Sequence, residues 1–70
     1  GDYLPLSTAP SVADNVVYFG SGDGFLIAVD IQTQEILWKF DAGVQVSTSP
    51  VISGGVVYFG NEAGTFFAVK

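Results

Sequence analysis

The chain is 70 residues long and carries a formal net charge of −5, with Lys39 and Lys70 as its only basic residues. It contains neither cysteine nor histidine, which excludes disulfides, thiolate and imidazole metal sites, and cysteine or histidine catalysis. Two cations leave no footprint for nucleic acid or an anionic membrane surface, and Gly, Asp, Asn or Ser interrupts every apolar run well short of a membrane span.

Hydrophobic residues make up 49% of the sequence and charged residues only 13%. A domain this small cannot hide so much apolar surface within itself, so contact with neighbouring units is expected. The start at Gly1-Asp2-Tyr3, without an initiator Met or a signal-peptide pattern, is that of an internal segment or a processed product.

In chain order, residues 1–6 read as a linker or as an outer strand belonging with a preceding blade. A first strand is predicted over Thr8 to Ala13, followed by a two-residue turn at Asp14-Asn15, which tolerates the positive φ angles of a tight hairpin. The second strand runs from Val16 to Gly20, and Ser21-Gly22-Asp23-Gly24 forms the next turn. Phe25 to Asp30 is the third strand and Glu35 to Phe40 the fourth. No stretch carries a helical period, so the chain is predicted to be all-β.

The sequence then repeats. Ser7–Asp30 and Ser47–Lys70 align without a gap at a period of 40, with 11 of 24 positions identical, including Pro10/Pro50, the Val-Val-Tyr-Phe-Gly runs and Ala28/Ala68. That period, filled with short strands, suits a four-stranded antiparallel β-propeller blade. Residues 7–46 are one complete blade, and residues 47–70 are a partial second repeat lacking its fourth strand. Val16 to Phe19 and Phe25 to Val29 are apolar at successive positions, so both strand faces are predicted to be buried, as in blades stacked face to face.

From Ala28 to Trp38 the sequence resembles the tryptophan-docking motif Ala-x-Asp-x-x-Thr-Gly-x-x-x-Trp of the pyrroloquinoline-quinone (PQQ) type of propeller repeat. Ala28, Asp30, Thr33 and Trp38 match, and the resemblance extends over residues 7 to 70, about one and three-quarter repeats. WD40 repeats share the period, but their Gly-His and Trp-Asp pairs are missing. Gln34 stands where the motif has Gly, and a left-handed backbone there would cost on the order of 1 kcal/mol. The resemblance implies a structural inter-blade docking role for Ala28, Asp30, Thr33, Trp38 and the second-copy Ala68. Stacking of Trp38 on a quinone, a sugar or another planar ligand is the less favoured use.

Candidate chemistry is sparse. Asp23, Asp30 and Glu62 offer the hard oxygen ligands that calcium takes, but all three fall in turns and are expected to serve there. Ser7-Thr8 and Ser47-Thr48 recur with the repeat and have no base to activate them, which points to a structural role. The glycine-rich run Gly20 to Gly24 joins two strands rather than opening a helix, so it is not a phosphate cradle.

The resemblance covers enzymes and non-enzymes alike. No catalytic constellation is visible, so the leading expectation is a non-catalytic protein-binding or scaffolding propeller segment of the cell envelope, periplasmic or otherwise extracytoplasmic. The alternatives are a fragment of a PQQ-dependent dehydrogenase, in which case PQQ and calcium are the cofactors, and the extracellular sensor domain of a bacterial membrane kinase. A protein or peptide partner is expected, with neither nucleic-acid binding nor membrane insertion. Other blades are the remaining expected partners: the open blade faces predict self-association, with Tyr3-Leu4-Pro5-Leu6 completing the open blade of another copy and four chains forming an eight-bladed ring.

Overall fold

The computed structural model describes residues 9–70, and seven strands make up its regular structure. Strands β1 (Ser11–Ala13), β2 (Val16–Gly20), β3 (Phe25–Asp30) and β4 (Ile36–Asp41) form one antiparallel sheet in that order. Strands β5 (Val51–Ser53), β6 (Val56–Gly60) and β7 (Phe66–Val69) form a second, three-stranded sheet. The all-β expectation and the blade-plus-partial-blade architecture are both observed, with no helix among the described residues.

The turns follow from residue chemistry. Asp14 and Asn15 adopt φ values of 51° and 66°, and Gly54 and Gly55 at the equivalent place adopt 58° and 78°. Left-handed backbone at both central residues matches the twist of the flanking strands, which is why Asn, Asp and Gly occupy such turns. The registers Ala13↔Val16 and Ser53↔Val56 show the two hairpins to be copies of one design. At the next turn, Gly24 has a φ of 93° and lies against the backbone of Val44, where a Cβ would sit 3.4 Å from the Val44 carbonyl carbon.

Two strand boundaries differ from the sequence expectation. β1 begins at Ser11, after Pro10, which has no N–H to give to a ladder. β4 runs one residue later than predicted, because the Glu35 carbonyl closes the preceding hairpin by accepting the Asp30 N–H at 2.9 Å, while Asp41 pairs with Phe25.

The sheets pack as a wedge. β1 and β5 bring the two sheets together, and the Ser11 hydroxyl donates to the Pro50 carbonyl. Away from this edge the gap is filled by rings. Phe40 meets Phe59 edge-on at 5.8 Å and Phe67 at 5.2 Å, and Phe59 stacks on Phe67 at 5.1 Å. Leu26, Ala42, Val46, Val57 and Phe59 are the buried centre, with Tyr18, Trp38, Ile52 and Val69 around them. Burial on both faces is fully met only in β3, where Leu26, Ile27 and Ala28 are consecutive buried residues. In β4 and β7 exposed and half-buried positions alternate instead, because each has one face against the other sheet and one face open.

Candidate functional site at the blade faces

The motif residues divide between a hairpin and a sheet face. Asp30 organises the β3–β4 hairpin: its Oδ1 accepts the N–H groups of Gln32 at 2.9 Å and Thr33 at 3.0 Å. Its carbonyl accepts the N–H of Gln34 at 2.8 Å. The Thr33 hydroxyl accepts the Glu35 N–H at 3.4 Å. Gln34 takes the left-handed conformation, with φ at 63°, that the motif's glycine would have adopted freely. Asn15 joins this loop to the first hairpin, its carbonyl accepting the Ile31 N–H at 3.0 Å and its amide lying 3.4 Å from Asp30 Oδ1. The contacts of Asp30 and Thr33 are thus within their own blade.

Ala28 and Trp38 lie on the face turned toward the second sheet. Tyr18, Ala28 and Trp38 form one row across β2, β3 and β4. Neighbouring strands are about 4.8 Å apart, so Tyr18 and Trp38 start from backbones nearly 10 Å apart. Their ring centroids are nevertheless only 6.0 Å apart. The two rings therefore lean inward over β3, and Ala28 is fully buried beneath them. A larger side chain there would force them apart. Ala68 occupies the corresponding place beside Tyr58 in the second sheet, where it is exposed.

A polar link between the sheets carried no signal in the sequence analysis. Asn61 is buried. Its Oδ1 accepts the N–H groups of Ala63 at 3.1 Å and Thr65 at 3.0 Å, while its amide nitrogen donates to the Ala42 carbonyl at 2.7 Å. One side chain so holds the β6–β7 turn and ties it to the end of the first sheet. Ser21, its counterpart in the first repeat, is also buried and donates to the Asp23 carboxylate. Asn at a Ser position of the repeat was the available clue.

The remaining sequence candidates have structural partners. Thr48 Oγ accepts the Gly60 N–H at 2.8 Å, and the Ser47 N–H donates to the Gly60 carbonyl at 2.8 Å, so this pair anchors the start of the second repeat to the end of β6. Ser7 and Thr8 lie outside the described residues, as does the Tyr3-Leu4-Pro5-Leu6 segment.

Two sheet faces remain open. On the second sheet, Val51, Tyr58, Phe66 and Ala68 all point away from the first sheet and are exposed, Phe66 to 78%. On the first sheet, the row Val12, Val17, Val29, Ile36 crosses all four strands on the side away from the second sheet. Val12 and Ile36 are 64% and 59% exposed. Lys39 stands on this face with its Nζ 4.7 Å from the Phe25 ring centroid.

A family model described as the outer membrane protein assembly factor BamB matches residues 4–70. The chain belongs to this family. Its BamB-type repeats account for the motif spacing, the 40-residue period and the blade architecture together. No curated protein matches. Among solved structures, the computationally designed Ika4 protein superposes with a TM-score of 0.79 at 23% identity, over 90% of this chain and 39% of that one. That likeness concerns the fold, and this chain spans well under half of the designed protein.

Quinoproteins make calcium a group to test against these BamB-type blades. Asp30 already spends Oδ1 on two backbone amides, and Asp23 and Glu62 sit in turns of different sheets. Among the described residues no three acidic side chains converge on one point. The acidic residues therefore do not fit a calcium site, and no chemistry is derived through one.

Proposed function

We propose that this chain is a non-catalytic, protein-binding segment of a β-propeller of the cell envelope, working outside the cytoplasm and holding neither quinone nor calcium itself. The edge of β7 carries the reading. The second sheet has three strands where the first has four, and β7 is its last. A strand without a neighbour offers a row of backbone donors and acceptors to any extended segment, and strand addition is a recurrent mode of peptide capture. The alternation along β7 supplies selectivity: Phe66 and Ala68 lie on the open face, while Phe67 and Val69 face the first sheet. An added strand would therefore meet an apolar surface on both sides, which favours an apolar, β-branched or aromatic partner segment. A family described as an outer membrane protein assembly factor is consistent with such partners.

The test uses a synthetic peptide, Glu-Ile-Leu-Trp-Lys-Phe-Asp-Ala, which copies residues 35–42, the strand that covers β3 in the first sheet. Saturable slowing of amide exchange concentrated at residues 66–69 supports capture by edge addition. Unchanged exchange at those amides across the titration refutes it.

A further inference from the structure

We infer that copies of this chain join head to tail, the open face of the three-stranded sheet of one copy docking on the open face of the four-stranded sheet of the next. The occupant is argued from the interface the chain already buries. There, Tyr18, Leu26 and the Tyr18–Trp38 roof over Ala28 meet Ile52, Val57 and Val69. The 40-residue repeat carries both halves of this contact onto the two open faces. Tyr58, Phe66 and Ala68 are the equivalents of Tyr18, Leu26 and Ala28, and they are uncovered on the second sheet. Val12, Val17 and Val29 are the equivalents of Ile52, Val57 and Val69, and they lie on the open side of the first sheet.

Each open face is thus one half of a known fit, and the two halves point in opposite directions from the interface between them. They cannot meet within one copy. They can meet between copies, by repeating the same sheet-to-sheet step. A contact of unlike faces generates a ring when its rotation closes. With two sheets per copy and about four to eight blades in known propellers, the closed species holds two to four copies. Each copy carries a net charge of −5, so long-range repulsion opposes assembly while the contact itself is apolar. Added salt should therefore tighten the association, since exposed charges are screened beyond about 8 Å at physiological ionic strength. This inference is independent of edge binding at β7, because it uses sheet faces rather than the strand edge.

Sedimentation velocity on the full 70-residue chain tests it, with Phe66→Asp altering one face and Ile36→Asp the other. The expected result is a discrete species of two to four copies at about 0.1 mM, a concentration at which weak specific contacts are populated. Each variant should be monomeric, with association weakened about a hundredfold or more, as for loss of an interface anchor. Mixing the two variants should restore a single contact and yield a one-to-one heterodimer. Circular dichroism shows whether each variant is folded, and Tyr58→Lys and Val12→Lys replace any that is not. A wild-type monomer at that concentration overturns the inference. So does assembly unaffected by one of the two substitutions, which means that one face pairs with itself, and so does assembly that weakens as salt rises.

Discussion

Replacing Gln34 with Gly should stabilise the chain, and the size of the effect follows from one backbone angle. Gln34 sits at φ 63°. In that region the Cβ of an L-residue crowds the following carbonyl, at a cost of about 1–2 kcal/mol. Glycine avoids the clash but loses more backbone freedom on folding, which returns roughly 0.5–1 kcal/mol of the gain. The side chain of Gln34 is exposed, and its N–H bond to the Asp30 carbonyl at 2.8 Å is a backbone contact that glycine retains. The net stabilisation is therefore about 0.5–1 kcal/mol. For a chain of this length that raises the melting temperature by roughly 2–8 °C. Urea titration followed by Trp38 fluorescence reads the change as a higher midpoint at an unchanged slope, with Gln34→Ala as the control that keeps the Cβ and should not stabilise. An unchanged or lower midpoint for Gln34→Gly, measured under conditions where the oligomeric state is the same as for the parent chain, would refute the argument from strain.

Asn61→Ala should destabilise by about 2–4 kcal/mol, because it strands the Ala42 carbonyl and the Ala63 and Thr65 amides in a buried turn, and the midpoint of denaturant unfolding reports it. Ala28→Leu should cost about 1–3 kcal/mol by wedging apart the Tyr18 and Trp38 rings, with a matching change in near-ultraviolet circular dichroism. Titration with PQQ and calcium together should leave Trp38 fluorescence unchanged, and saturable quenching would count against the non-catalytic reading.

Much of the local structure was legible because it is encoded locally. Asp14-Asn15 and Gly54-Gly55 are residues that accept left-handed backbone, so the hairpins could be placed from sequence and then observed with the expected φ signs. Asp30 was read as a turn-former, and its carboxylate caps the amides of its own loop. The reading of Gln34 as a strained position likewise needed only the motif and the sterics of a Cβ. The β4 bulge was not legible. Ala28 pairs with Trp38 but Val29 pairs with Ile36, so Leu37 falls out of register. Without it, Ile36 and Trp38 would share a face. With it, Trp38 turns toward the second sheet and Ile36 joins the open row, and nothing in Glu-Ile-Leu-Trp announces that slip.

The sequence by itself determined the strands, the turns and the blade period, since each rests on side-chain and φ preferences within a few residues and on a repeat that can be aligned by eye. Tertiary structure alone decided which face of each strand is covered. Strands apolar on both sides carry no one-sided signal, so the choice fell to the wedge between the sheets. The inner strands lie together and the widening gap takes Phe40, Phe59 and Phe67, while the reach of Asn61 to Ala42 exists only once the two repeats have docked.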